Sequence, residues 1–214
     1  TTIGHTFYWI LKSQMYEQNF QQRYGLYLEI FLNKIGPNLA KIFFDEDVLM
    51  MKLEEICETQ KNKKFSKKEK LSIYKDLIEG FNYYLTQQIH EISLPFDFKF
   101  RLEKINLEEC KVQFKDTQIE LIVSFKNVDP LGDNILVNYF NDKDIRMNLL
   151  TMQLLNIIHT MWCENNLILK MPLYNIMTTS RNKGLIQLIP NTLTYEEMPI
   201  KETSGYKNLF GKRS

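Results

Sequence analysis

The residues best suited to chemistry lie in a short polar run, residues 141–148, between an apolar strand pattern and an amphipathic helix pattern. This run reads Asn-Asp-Lys-Asp-Ile-Arg-Met-Asn. A guanidinium such as that of Arg146 can bind phosphate through paired hydrogen bonds. It can equally hold a turn by pairing with a carboxylate, here Asp144 or Asp142. The residue types leave both interpretations open.

Two further patterns have a functional and a structural interpretation. His159 and Cys163 stand four residues apart on one predicted helix, a spacing that metals use, but no further ligands stand nearby, so helix packing is the alternative. The basic run at residues 61–68 could contact anionic lipid headgroups, with about 1 kcal/mol per residue near the surface. It is otherwise a solvated loop between helices.

Composition gives bounds on the class of protein. The 214 residues are 44% hydrophobic and 25% charged, which is typical of a globular chain with a sizeable core. The net charge of +1 provides no overall field that would select nucleic acid. Three widely spaced cysteines indicate neither a zinc site nor a disulfide framework, so we expect a cytoplasmic protein. No signal peptide or membrane span is evident, and the start at Thr1 leads us to expect a fragment.

Helical spacing predicts four helices in the first part of the chain. Three of them cover residues 3–15, 21–33 and 37–59. The fourth begins at a capping box in which Ser66 and Glu69 each satisfy an unpaired amide at the helix start. Four consecutive helices favour a bundle or the end of a helical solenoid.

Beyond a boundary near residues 91–97 the pattern changes to strands and one helix. Strands are predicted at residues 110–114, 118–125, 134–139, 167–173 and 184–189. The helix covers residues 149–163, with five apolar side chains at core spacing: Leu150, Leu154, Ile157, Ile158 and Met161. An α+β fold follows, with domains at residues 1–92 and 93–214.

Several ordered stretches resemble phosphatidylinositol 3-kinases. The first is Ile-Gly-His at residues 3–5, which continues through Leu-Lys-Ser-Gln-Met at 11–15. The others are Arg-Tyr-Gly-Leu-Tyr-Leu-Glu at 23–29, Leu-Glu-Glu-Cys at 107–110, Met-Pro-Leu-Tyr at 171–174 and Gly-Leu-Ile-Gln-Leu-Ile at 184–189. The run at 141–155 resembles the same family, and the first helix is closer to its class I or II than to class III. The match covers nearly the whole chain.

The resemblance implies a solenoid-tail helical segment followed by a protein-kinase-like N-lobe with an antiparallel sheet and one packed helix. It implies a lipid kinase that uses ATP and Mg²⁺ to phosphorylate the 3-hydroxyl of a phosphatidylinositol lipid at a membrane surface, with a regulatory subunit as a further partner. It places Tyr174 in the adenine pocket. It assigns the hinge that meets adenine to Gln187, Leu188 and Ile189. It assigns the loop over the phosphates to Asp116, Thr117 and Gln118.

Three departures from the family pattern bear on activity. Phe140 occupies the position of the phosphate-binding lysine, and Asn148 occupies that of an aspartate. Losing one such preorganised partner typically lowers the rate about 10²- to 10³-fold. Lys143 is the nearest spare cation. The chain also ends before the family's catalytic loop and magnesium site, so we expect it to be inactive alone.

Two alternatives stay open. Phe140 and Asn148 also suit a degenerate kinase that acts as a scaffold or regulator, because both changes remove charge where ATP needs it. The absence of a glycine-rich phosphate loop suits a free-standing interaction module without kinase ancestry. That module would lack a sheet with the 149–163 helix packed against it.

Overall fold

The computed structural model describes residues 2–61, 64–87, 92–115, 118–190 and 192. The first part of the chain forms four helices, which confirms the prediction: α1 (Thr2–Gln14), α2 (Gln21–Ile35), α3 (Pro37–Lys61) and α4 (Lys67–Gln87). Gly36 separates α2 from α3 at φ 84°, a left-handed conformation that glycine adopts without steric cost. The capping box of α4 also forms, with Ser66 N donating to Glu69 Oε2 (2.7 Å) and Glu69 N to Ser66 Oγ (3.3 Å).

The second part forms an antiparallel sheet with one long helix. Its strands are β1 (Ile92–Leu94), β2 (Asp97–Ile105), β3 (Lys111–Lys115), β4 (Gln118–Asn127), β5 (Ile135–Asn141), β6 (Ile176–Ser180) and β7 (Lys183–Gln187), and the helix is α5 (Arg146–Glu164). The strand order is β1-β2-β4-β5-β7-β6. Strands β2 and β3 pair with opposite ends of β4. The mixed α+β class is therefore confirmed.

Strand alternation gives the sheet two distinct faces. On the back face, Leu121, Tyr139 and Leu185 lie side by side across β4, β5 and β7 and belong to one buried cluster with residues of the four helices. On the front face, Glu120, Phe140 and Gly184 lie in register. This face carries α5, and its apolar side chains form a smaller cluster, the front cluster: Phe140, Ile145, Met152 and Ile176.

Two strand predictions need correction. Residues 167–173 form no strand; they lead from α5 to β6, and Ile168 is 95% exposed. Pro172 has no backbone N–H to donate to a sheet, and the paired strand begins only at Ile176. Strands β1 and β2 were not predicted. Strand β1 has only three residues, whereas β2 alternates Phe98, Phe100 and Leu102 with charged residues, a strand signal that the prediction missed.

The predicted core face of α5 is wrong. Its five side chains are 39–57% exposed: Leu150, Leu154, Ile157, Ile158 and Met161. The helix instead turns Met152 toward the sheet, with Leu149 and Leu155 half-buried beside it. Because α5 carries apolar residues around much of its circumference, its periodicity could not identify the side that the sheet covers.

The proposed division at residues 92/93 remains a prediction, although the packing across it is continuous. The large buried cluster contains helical residues such as Leu49 and Phe81 together with strand residues such as Leu94 and Phe125. Contacts of α3 with β1, β4 and β5 hold the sheet against the helices. Among the helices that the structure describes, none is long and apolar enough to cross a bilayer.

Candidate functional site

The polar run between β5 and α5 forms a turn that is fixed at both ends. Asp142 adopts a left-handed φ of 73°, which aspartate tolerates better than most residues, and its carboxylate accepts a 2.5 Å bond from Lys61 Nζ of α3. The backbone N–H of Lys143 donates to the carbonyl of Asn182 in the β6–β7 turn (2.8 Å). Asn141 Nδ2 donates to Glu58 Oε1 (2.8 Å). The turn is therefore tied to α3 and to the neighbouring hairpin.

Arg146 holds this turn through Asp144. Its Nε lies 3.0 Å from Asp144 Oδ1 and its Nη2 2.6 Å from Asp144 Oδ2, and its backbone N–H also donates to Oδ1 (3.0 Å). The guanidinium beside it lowers the pKa of Asp144 to about 2. Of the two roles that the sequence allowed for Arg146, the structure shows the structural one, and the partner is Asp144.

Lys143 extends from the turn over the front face of the sheet. Its Nζ lies 4.3 Å from the ring centroid of Phe140 and 3.4 Å from Glu120 Oε1. Glu120 is 4% exposed, and its other oxygen accepts a 3.2 Å hydrogen bond from Asn138 Nδ2. Asn138 Oδ1 is buried without a partner among the described residues. A buried carboxylate, a lysine ammonium and an amide with one unpaired oxygen thus lie together directly beside the front cluster.

A second polar group lies at the edge where β7 ends. Gln187 N donates to the carbonyl of Asn175 (2.8 Å), while Gln187 Oε1 accepts from Asn175 N (3.2 Å) and Asn175 Nδ2 (3.0 Å). The next N–H, that of Leu188, points the other way and donates to Leu136 O on β5 (2.8 Å). Ile189 lies two residues beyond the end of β7, and its carbonyl accepts a 2.8 Å hydrogen bond from Thr192 Oγ1. Tyr174, beside Asn175, packs against the front cluster.

The structure thus gathers four of the nine residues proposed from the resemblance at one edge of the front face: Tyr174, Gln187, Leu188 and Ile189. Phe140 lies 5% exposed within the front cluster. Asn148 is exposed in the first turn of α5. Asp116 and Thr117 lie outside the described residues, and for Gln118 only the backbone is described, paired with Lys115.

Sequence reasoning missed Glu120, Asn138 and Asn175. Glu120 carried a usable signal, because a carboxylate inside the apolar run Ile-Glu-Leu-Ile-Val is unusual for a buried strand. Asn138 gave a weaker signal of the same kind on β5. Nothing local distinguished Asn175, whose contacts depend on the meeting of two chain segments.

The other two candidate sites from the sequence are the His159–Cys163 pair and the basic run at residues 61–68. Cys163 Sγ lies 3.7 Å from His159 Nε2 on the exposed side of α5. Within the described ranges, no three His, Cys, Asp or Glu side chains come together as a metal site would require. In the basic run, Lys61 bonds Glu58 and Asp142, while residues 62 and 63 lie outside the described part.

Comparison with known proteins gives a consistent result along the chain. The human phosphatidylinositol 4-phosphate 3-kinase C2 domain-containing subunit beta is 26% identical over 208 residues, which is 96% of this chain and 12% of that protein. Phosphatidylinositol 3-kinase 3 of Dictyostelium discoideum is 28% identical over 192 residues, 90% of this chain and 11% of that protein. These relatives are named phosphatidylinositol 3-kinases.

The similarity also has limits. The human phosphatidylinositol 3-kinase C2 domain-containing subunit gamma is 25% identical over 94% of this chain and 14% of its own length. The chain therefore spans only 11–14% of these three relatives. No protein-family model matches the chain.

Proposed function

We propose that this chain is the nucleotide-facing part of a phosphatidylinositol 3-kinase homologue, and that the whole protein transfers the γ-phosphoryl group of ATP to the 3-hydroxyl of an inositol lipid. The observation that carries the proposal is the coincidence of two findings. Similarity to named phosphatidylinositol 3-kinases extends over 90% or more of the chain, and the residues expected to meet adenine lie together at one edge of the front face.

This edge has the chemistry that a purine base requires. The N–H of Leu188 is used within the sheet and that of Gln187 bonds the carbonyl of Asn175, so the groups proposed to meet the base are the carbonyl of Gln187 and the N–H of Ile189. A strand edge that offers one acceptor and one donor two residues apart can pair with the edge of an adenine ring. Tyr174 and Ile186, which pack against the front cluster, give the base apolar surface, as small-molecule sites generally do.

ATP and Mg²⁺ would supply the phosphoryl group and neutralise its charge. On the described residues, the front face fits the base better than it fits the metal, since no acidic cluster lies there. The magnesium ligands and the lipid-binding groups therefore belong, in this proposal, to parts of the protein beyond the described residues. The exposed apolar side of α5, with Leu154 and Ile157, suits contact with such a part.

Partners and location follow from the same proposal. The substrate would be a phosphatidylinositol lipid at a membrane surface, the enzyme a cytoplasmic protein recruited there, and a regulatory subunit a further partner.

Adenosine binding tests the proposal, because adenosine needs the edge and no phosphate site. Adenosine should raise the Tm of the purified chain in proportion to its concentration, since a ligand of the native state stabilises it. Ile189→Pro removes the N–H at the edge and should abolish the shift. Ile168→Pro, at another exposed isoleucine, should retain it. No shift with the wild-type chain at millimolar adenosine would refute the proposal.

A degenerate scaffold is the second candidate, and Phe140 is the observation that favours it. The ring is buried in the front cluster, so the strand has lost its cation without leaving an empty polar site. A scaffold predicts a stable chain whose Tm responds to neither adenosine nor ATP with Mg²⁺. The third alternative, a module without kinase ancestry, predicts that no sheet carries the packed helix. Helix α5 does lie against β6 of a sheet, which counts against this alternative.

A further inference from the structure

The front face retains a cation beside the residue that has lost one. Phe140 stands where the family has its phosphate-binding lysine, yet the ammonium of Lys143 lies 4.3 Å from the centre of the Phe140 ring. Position 143 is three residues further along the chain, in the turn before α5. The turn brings its side chain back over the end of β5.

We propose that Lys143 replaces the missing strand lysine and contacts the phosphates of a nucleotide bound on the front face. The inference rests on the proposed nucleotide binding and assigns its phosphate-binding residue. It turns the change at Phe140 from a loss of function into a relocation of charge from a strand to the adjoining turn.

The first support is that Lys143 is positioned at both ends. Its backbone N–H is fixed by the carbonyl of Asn182 (2.8 Å). Its ammonium lies 3.4 Å from Glu120 Oε1, and Asn138 bonds the other oxygen of that carboxylate. Kinases likewise hold the phosphate-binding lysine with a carboxylate. Here the carboxylate comes from β4, which makes Glu120 a positioning residue.

The second support is accessibility. The side chain of Lys143 is 35% exposed, whereas that of Glu120 is 6% exposed. The side chain of Lys143 is therefore accessible to a ligand on the front face, while its carboxylate partner is covered.

The third support is the identity of residue 140. An ammonium over an aromatic face is attracted by the negative face of the ring, and more strongly where water is excluded. Phe140 thus does more than fill the front cluster, since its ring supports the cation that replaces the strand lysine. An aliphatic residue of similar size would fill the cluster without that attraction.

A nearby lysine shows that a position at this end of the sheet does not by itself bring an ammonium to the front face. Lys183 precedes Gly184 on β7 and pairs with Asn141 in register. Alternation directs its side chain to the back face, where its ammonium bonds Glu54 of α3. Lys183 is thus a matched control, a lysine at the same end of the sheet whose side chain lies on the back face.

Covalent labelling gives a direct test. An acyl phosphate of ATP acylates a lysine that lies near the bound phosphates: the neutral amine attacks the acyl carbonyl, an amide forms, the carbonyl–phosphate bond breaks, and ATP leaves with the electron pair while the amine loses its proton to solvent. Peptide mass spectrometry of the labelled chain should find the acyl group on Lys143, and excess ATP should suppress it at least tenfold. Labelling of Lys183 should not respond to ATP.

Affinities supply the second measurement. Lys143→Gln should weaken ATP binding about 10- to 100-fold, the usual effect of a lost charge-assisted hydrogen bond, and leave adenosine affinity unchanged. Lys183→Gln should change neither. Equal loss of ATP and adenosine affinity, or unchanged ATP affinity, in Lys143→Gln would overturn the assignment while the proposed function stands. Absence of adenosine binding in the wild-type chain would overturn both.

Discussion

Replacing Glu46 by alanine is expected to destabilise the whole chain, because this buried carboxylate joins the helices to the sheet. Glu46 lies on α3 and is fully buried. It accepts hydrogen bonds from Trp9 Nε1 (2.8 Å) on α1 and Ser93 Oγ (2.6 Å) on β1. His5 Nε2 lies 2.9 Å from both of its oxygens.

The magnitude follows from the three groups that alanine would leave unpaired. Each buried donor without a partner costs about 1–3 kcal/mol, and the sum is reduced where water enters the space. Breaking a buried charged interaction by removing one partner typically costs about 3–5 kcal/mol, and we expect Glu46→Ala to fall in that range. This is a large part of the roughly 5–15 kcal/mol of a typical domain.

Urea unfolding, followed by circular dichroism and by tryptophan fluorescence, measures this effect. Glu55→Ala is the matched control, since it removes a glutamate from the same helix whose partner, Lys52, is similarly exposed. Such surface pairs contribute about 0–1 kcal/mol. Glu46→Gln should lie between the two, because the amide keeps one acceptor oxygen. A Glu46→Ala loss within 1 kcal/mol of the Glu55→Ala loss would refute the role of the carboxylate.

Three further predictions concern the turn, the sheet and the thiols. Arg146 lowers the pKa of Asp144 to about 2, so the stabilisation from their pairing is fully present above the unfolded pKa near 3.8 and is lost as the pH falls through about 2. The difference in Tm between wild type and Asp144→Asn should therefore close between pH 3.8 and about 2. A difference that stays constant over this range would contradict the prediction. Gly184→Ala forces a Cβ against a backbone carbonyl of β6 and should lower the free energy of unfolding by about 1–3 kcal/mol, measured by thermal unfolding. Gly80→Ala, in open space on α4, should be neutral or stabilising by up to about 1 kcal/mol. Equal effects of the two substitutions would contradict the close packing at Gly184. Of the three cysteines, exposed Cys163 should react first with a thiol reagent, because burial raises the pKa of the other two thiols; mass spectrometry of the first-labelled peptide checks this.

Local patterns were sufficient for much of the fold. The capping box at Ser66 depends on interactions between residues a few positions apart, so it could be placed without the rest of the molecule. Strands β4 and β5 were identified because both are apolar on at least one face along most of their length. Residues 167–173 are equally apolar, but no strand in the described part of the chain pairs with them, and pairing is not a local property.

The site divides in the same way. The sequence alone determined that position 140 carries a phenyl ring, that the charged residues nearest to it along the chain are in the following turn, and that several stretches resemble phosphatidylinositol 3-kinases. The tertiary structure decided which side of α5 meets the sheet, that Arg146 is occupied by Asp144, and that the ammonium of Lys143 lies over Phe140. These outcomes depend on the register of β4, β5 and β7 and on the path of the turn between β5 and α5. Register and path are set by contacts between distant segments, which periodicity within one segment cannot encode.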